Sequence, residues 1–263
     1  MTPRLTRLIP RVTSRTTTHR TARRGPVAEV RAFLAAALLD PVPRDHSESD
    51  QAFRRRRVVA AVTLAAGGLL LALALRIPPG ENAFYWATAA LAAVWSGGAV
   101  LSGPLHLGHA RTRAGRADAR PWVQSLALGG LLIGVFLVGA IVVAHLPPVR
   151  DQVDAVLDHA RFGSLPLILL IVVVNGIAEE LYFRGALFAA VGRRHAVLVT
   201  TIVYALTTAG TGNPMLVLAA ALLGLLTGLQ RRVTGGVLGP ILTHILWSST
   251  MLLLLPPILE ALR

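Results

Sequence analysis

Residues 170–185 read Leu-Ile-Val-Val-Val-Asn-Gly-Ile-Ala-Glu-Glu-Leu-Tyr-Phe-Arg-Gly, and three ionisable side chains interrupt this otherwise apolar run. Apolar runs of about 20 residues span the hydrocarbon core of a bilayer as a helix. A charged side chain inside such a helix costs about 2.5–3.5 kcal/mol, so by default it marks a functional position. The stretch therefore predicts a membrane helix that carries the chemistry of the protein.

The composition of the whole chain also indicates a membrane protein. Its 263 residues are 54% hydrophobic and 15% charged, whereas a soluble domain carries about 25% charged residues. The apolar blocks lack the alternation of period two that strands show, so they predict helices. We expect an all-α, polytopic transmembrane bundle of about seven spans. These spans are predicted at 58–76, 83–105, 122–146, 164–190, 196–210, 214–230 and 237–256.

Arginine clusters in the loops predict the orientation of the spans. Loops on the cytoplasmic side carry an excess of basic residues. One cluster precedes the first span, and the others follow the second, fourth and sixth spans, so all four fall on one side. This places the N-terminus in the cytoplasm of a multi-pass cell-membrane protein. The clusters are Arg54–Arg57, Arg111–Arg120, Arg193–Arg194 and Arg231–Arg232.

Charge and apolar content divide the chain into three parts. Residues 1–57 are expected to form a basic, largely disordered arm, in which residues 28–39 could form an interfacial helix. Residues 58–121 are expected to form two membrane helices and a basic loop. Residues 122–256 are expected to form the core of the protein. All 26 basic residues are arginine, which we interpret as the composition of a bacterial protein. The net charge is +13, and we expect the arm and the basic loops to bind anionic lipid rather than nucleic acid. Cysteine is absent, which excludes disulfides and thiol catalysis.

Helical geometry sorts the three ionisable residues. Arg184 follows Glu180 by four positions, so the two are expected to form an ion pair on one face. Glu179 is rotated by about 100° and lacks that partner, while Asn175 shares its face and is placed to hydrogen-bond it. An available carboxylate suits a general base. The alternative is that the pair only packs helices together and that Glu179 caps a polar pocket or binds a neighbouring backbone.

Polar residues of later spans are expected at the depth of Glu179. Counted from the nearest arginine cluster, Glu179, Thr208 and His244 lie 12 to 14 residues inside their spans, which is roughly 18–21 Å from the basic side at 1.5 Å per residue. Ser248 follows His244 by four positions and shares its face. These side chains are predicted to converge on Glu179.

The motif Glu-Glu-x-x-x-Arg at 179–184 and the later polar positions resemble the CPBP family, the intramembrane glutamate-dependent CAAX-prenyl proteases and bacteriocin-processing proteins also called Abi. The resemblance covers about residues 122–256. The second family motif is Phe-x-x-x-His, and here the aligned stretch 204–208 ends in Thr208 instead of histidine. The third motif is His-x-x-x-Asn or Asp, and here His244 is retained with Ser248 at the last position.

The resemblance implies a role for each matched residue. Glu179 would activate water, with Glu180 and Arg184 as structural support. His244 would stabilise the oxyanion or act as a general acid, and Thr208 and Ser248 would supply hydrogen bonds. Members of the family are often named metalloproteases, but a catalytic zinc usually has three protein ligands and the span lacks His-Glu-x-x-His. We therefore expect no tightly bound zinc and no other cofactor.

Three functional hypotheses follow from these residues. The first is a membrane-embedded endopeptidase-like protein that acts on a peptide or a membrane-protein terminus entering from the cytoplasmic side. The second is a non-catalytic member that binds a peptide or partner protein in the same cavity, which the threonine at 208 favours. The third is a transporter that couples proton movement to Glu179 and Arg184.

Overall fold

The computed structural model describes residues 25–112, 115–192 and 194–262, which form helices and loops without a β-sheet. The expected all-α fold class is therefore confirmed. The prediction of a disordered arm falls mainly on residues 1–24, which lie outside the described residues.

Nine helices follow one another in these ranges. Six of them, α2, α3, α4, α6, α8 and α9 in the numbering below, are long and apolar enough to cross a membrane, and α7 is a shorter apolar helix. The chain is thus a multi-pass membrane protein, and the predicted fifth span corresponds to α7. The helices are α1 (Pro26–Leu38), α2 (Asp50–Ala74), α3 (Asn82–Ser102), α4 (Trp122–Ala144), α5 (Pro147–Arg161), α6 (Leu165–Val191), α7 (Ala196–Ala209), α8 (Pro214–Thr234) and α9 (Leu238–Ala261).

Helix α2 begins earlier than the predicted first span. It starts at Asp50, and the side chain of Ser49 caps it by accepting a hydrogen bond from the Ala52 amide at 3.3 Å. Serine at this position satisfies a backbone N–H that has no partner within the helix. The arginines at 54–57 therefore belong to the first turns of α2 and not to an arm.

Helix α6 contains a π-helical segment that the sequence analysis did not predict. The segment runs from Leu181 to Leu187, directly after the two glutamates. In a π-helix the hydrogen bonds connect residues five apart, which makes each turn wider and shorter, and such turns are frequent at functional sites. A depth count at 1.5 Å per residue therefore fails along this part of α6.

An aromatic stack fixes α6 against α2 and α3. The ring of Tyr182 stacks on Trp95 of α3 with 4.5 Å between centroids, and its hydroxyl donates to the Ala60 carbonyl of α2 at 2.6 Å. Trp95 is fully buried and lies against Gly67 of α2. A small residue at such a helix contact lets the two backbones approach closely.

The arginine clusters that the structure describes meet at one end of the bundle. Arg44 donates to the Arg232 carbonyl at 2.7 Å, and Arg56 donates to the Pro104 carbonyl at 3.3 Å. Backbone bonds also join the 103–121 loop to the α8–α9 connection, as from the His109 amide to the Thr234 carbonyl at 2.9 Å. We call this the basic end; its cytoplasmic location remains a prediction.

We predict that Gly67→Ala destabilises the protein by about 1–3 kcal/mol, the usual effect of overpacking. An added Cβ would lie 2.4 Å from the Trp95 ring, so the indole or the helix must shift. Thermal unfolding in a neutral detergent measures the effect. Gly97→Ala in α3 is the control, because a Cβ there meets no atom within 4 Å. Equal stability of the two variants would contradict the prediction.

Candidate active site

Glu180 lies at the centre of a buried polar cluster. Its Oε1 is 2.9 Å from Nδ1 of His244 and 3.2 Å from Nη1 of Arg184. Glu180 and Arg184 are fully buried, and His244 is nearly so. The ion pair expected from the four-residue spacing is therefore present. His244 hydrogen-bonds the Glu180 carboxylate, and within the described residues no hydrogen bond joins His244 to Glu179.

The contact with Glu180 fixes the orientation of the His244 ring. A carboxylate accepts hydrogen bonds, so Nδ1 carries the hydrogen in this contact. The opposite edge of the ring lies against Gly176 of α6, where an added Cβ would be 3.7 Å from Nε2. Nε2 is thus the nitrogen of His244 that remains for other chemistry.

Glu179 has a partner that the sequence analysis missed. The hydroxyl of Tyr204 in α7 donates to its Oε2 at 2.5 Å. Glu179 is only partly buried, in contrast to the fully buried Glu180. The sequence indicates this contact, because Tyr204, which carries a hydroxyl, stands where the second motif of the resembled family has phenylalanine. Glu179 thus lacks an ion pair with Arg184, as expected, but its hydrogen-bond partner is Tyr204.

Asn175 does not bind Glu179. Its Nδ2 donates instead to the carbonyl of Ile171, four residues earlier in α6, at 3.1 Å. Both residues lie on the same helix face, as predicted, but the amide bonds its own backbone. Glu179 is oriented from α7 and not from its own helix.

Thr208 and Ser248 also use their hydroxyl hydrogens within their own helices. Thr208 donates to the Tyr204 carbonyl at 2.9 Å, and Ser248 donates to the His244 carbonyl at 2.9 Å. This back-bonding is usual for serine and threonine inside helices. Neither hydroxyl donates to the glutamates. Each lies one helical turn beyond the residue that does contact a glutamate.

A cation–π contact connects the partners of the two carboxylates, Arg184 and Tyr204. The Arg184 guanidinium lies 4.8 Å from the centroid of the Tyr204 ring, while the hydroxyl of that ring binds Glu179. Gly224 of α8 makes room for both, since an added Cβ would lie 3.3 Å from each side chain. We call Glu179, Glu180, Arg184, Tyr204 and His244 the glutamate cluster.

The glutamate cluster keeps unused hydrogen-bonding capacity. Within the described ranges, Oε2 of Glu180 and the three nitrogens of the Arg184 guanidinium make no hydrogen bond, although Nη1 is close enough to Glu180 for an ion pair. Buried polar groups are normally satisfied, so such exceptions are typical of strained or functional positions. The arrangement provides polar contacts for a bound group inside an apolar bundle.

The donor set does not fit a catalytic zinc ion. In the parts of the chain that the structure describes, no three His, Cys, Asp or Glu side chains come together as metal ligands. Nδ1 of His244 is bound to Glu180, and a catalytic zinc usually needs three protein ligands. Chemistry at the cluster is therefore derived from its own side chains.

Fold and cluster together define a polytopic membrane protein with an ionisable site enclosed by α6, α7, α8 and α9. Residues 161–250 match the family model described as type II CAAX prenyl endopeptidase Rce1-like. The resemblance is thus confirmed for this segment, which contains the whole glutamate cluster and is CAAX-protease-like. Comparison with curated proteins gave no match, and comparison with solved structures gave none.

We predict that Glu180→Gln destabilises the protein by about 3–5 kcal/mol, because it leaves the buried Arg184 charge without a carboxylate. The double variant Glu180→Met with Arg184→Met removes both charges and is expected to recover most of that loss. Unfolding in detergent, followed for the wild type and both variants, measures the difference. A double variant no more stable than the single one would contradict this reading.

Proposed function

We propose that the protein is an intramembrane, glutamate-dependent endopeptidase-like hydrolase that acts on a peptide or a membrane-protein terminus. The observation that carries the proposal is the different environment of two adjacent carboxylates. Glu180 is fully buried between Arg184 and His244, whereas Glu179 is partly exposed and bound only by the Tyr204 hydroxyl. One carboxylate holds the site together and the other is free to exchange a proton. The CAAX-protease-like match of the same segment supports hydrolysis.

In this proposal Glu179 is the general base. The Tyr204 hydroxyl occupies Oε2, so Oε1 accepts the proton from a water molecule. The resulting hydroxide attacks the carbonyl carbon of the scissile peptide bond. When the carbon–nitrogen bond breaks, Glu179 returns the proton to the leaving amine.

His244 would stabilise the oxyanion formed by that attack. Its Nε2 donates a hydrogen bond only when the ring carries both hydrogens. The Glu180 carboxylate at Nδ1 fixes the ring, the role that a third residue has in hydrolase triads. Glu180 thus orients His244 as well as pairing with Arg184. Thr208 and Ser248 would add hydrogen bonds by accepting through their oxygens, since both donate to backbone carbonyls.

The proposal is tested by comparing protein termini in membranes of cells that carry the wild type or Glu179→Gln. Glutamine keeps the shape of the side chain but does not act as a base at neutral pH. We expect specific termini to disappear in the variant at unchanged protein level. Glu81→Gln is the matched control, because this exposed glutamate precedes α3 and is not part of the cluster. Identical termini in wild type and Glu179→Gln would refute hydrolysis.

A second candidate function is peptide binding without catalysis. The observation that favours it is Thr208, whose hydroxyl donates to its own helix at the position where the resembled family has an imidazole. A site with a single histidine beside the carboxylates is sufficient for polar contacts to a peptide. The two functions differ in whether chemistry follows binding.

Restoring the histidine with Thr208→His distinguishes the two functions. If the protein is a hydrolase, an added acid–base group is expected to raise the yield of cleaved termini by about 10²-fold or more. Thr207→His is the control, because its neighbour is Gly68 of α2 rather than the cluster. An unchanged set of termini after Thr208→His would favour the binding function.

A further inference from the structure

A polar pocket lies at the basic end, outside the glutamate cluster. It has a volume of about 330 Å³, at the lower end of the range for ligand pockets. Residues from the α1–α2 loop, the start of α2, the loop after α3, the end of α6 and the end of α8 line it. Its basic and imidazole side chains are Arg44, His46, Arg56, His106, Arg231 and Arg232.

Arg231 is the unusual member of this pocket. It is 95% buried, with 5% of its surface exposed, and its Nε donates to the Arg184 carbonyl at 2.6 Å. Its guanidinium lies 5.1 Å from the centroid of the Phe188 ring. No carboxylate of the described residues forms an ion pair with it, and its terminal nitrogens make no hydrogen bond there. A buried charge in this state is unfavourable unless a partner neutralises it.

The other charges of the pocket do not neutralise Arg231. Glu48 forms a two-oxygen ion pair with Arg56, so its charge is already balanced. Asp50 is the second carboxylate in the lining, against four arginines. With neutral imidazoles the lining therefore carries a net charge of +2.

Two histidines of the pocket stack on each other, and one of them lies close to its arginines. The rings of His46 and His106 stack with 3.7 Å between centroids and are nearly parallel. Burial, followed by the positive charges of Arg231 and Arg56, lowers the pKa of His106. Nearby cations disfavour a further positive charge, so the pocket is electrostatically suited to an anion.

We infer that this pocket binds a phosphate monoester or inorganic phosphate, with Arg231 as its main ligand. The planar guanidinium offers paired donors that fit phosphate oxygens. A phosphate monoester carries about −1.5 to −2 charges at neutral pH, which matches the excess of +2, whereas one carboxylate carries half of that. The ligand is either the headgroup of phosphatidic acid, at the end of the bundle where headgroups are expected, or free phosphate.

The experiment measures thermal unfolding of the full chain in a neutral detergent at constant ionic strength. Inorganic phosphate and a short-chain phosphatidic acid are titrated separately, with acetate as the reference anion. We expect saturable stabilisation of the wild type by at least one phosphate ligand and none by acetate, because a ligand of the native state raises its stability. Stabilisation by inorganic phosphate identifies free phosphate as a ligand. Stabilisation by phosphatidic acid alone identifies the lipid headgroup.

Two variants test the pocket itself. Arg231→Gln removes the unpaired charge and is expected to weaken binding about tenfold or more. Ala189→Leu leaves the charge unchanged but places a larger side chain in the lining, and it is expected to weaken binding as well. Arg54→Gln is the control for charge, since this arginine is exposed at the same end of the bundle and does not line the pocket. The affinity of this variant for the phosphate ligand should stay at the wild-type value.

Three results would overturn the inference. The first is no stabilisation of the wild type by either phosphate ligand, including the case in which only an acidic peptide binds. The second is an equal loss in Arg54→Gln and Arg231→Gln, which would indicate general charge attraction. The third is that Ala189→Leu binds the phosphate ligand with wild-type affinity. This result would exclude the pocket as the binding site even if Arg231→Gln does not fold. None of these measurements depends on hydrolysis.

Discussion

The fully buried carboxylate of Glu180 is bound by Arg184 of its own helix and by His244 of α9. A charge in this environment is tolerated only with good partners, since its removal from water is costly. The two contacts therefore tie α6 to α9 and set the rotation of α6 about its axis. Because Glu179 is the preceding residue, the same rotation determines that its side chain reaches α7 and Tyr204.

Two identical side chains next to each other thus have different surroundings. Glu180 receives a cation and an imidazole, while Glu179 receives one neutral hydroxyl and keeps part of its surface exposed. Environments of this kind separate the roles of paired carboxylates in many enzymes. Here the separation follows from helix geometry, since consecutive residues of a helix point about 100° apart.

Features that depend on local periodicity could be predicted from the sequence. These include the apolar helices, the ion pair between Glu180 and Arg184, and the gathering of the described arginine clusters at one end. The partners of Glu179 and His244 could not, because they depend on how α6 is rotated against α7 and α9. The depth count selected the right helices, but the π-helical turn after Glu180 breaks its assumption of constant rise. Thr208, which the count selected, lies one turn beyond Tyr204, whose hydroxyl binds Glu179.

The π-helical turn also connects the glutamate cluster to the basic end. Arg184 uses its side chain to pair with Glu180, and its carbonyl accepts a hydrogen bond from Nε of Arg231 at 2.6 Å. One residue thus carries a contact to each site, on a helical turn whose backbone bonds are less regular than those of an α-helix. Any movement of Arg231 must either carry the Arg184 carbonyl with it or break this bond. The position of the ion pair between Glu180 and Arg184 is consequently coupled to the position of Arg231 in the basic pocket.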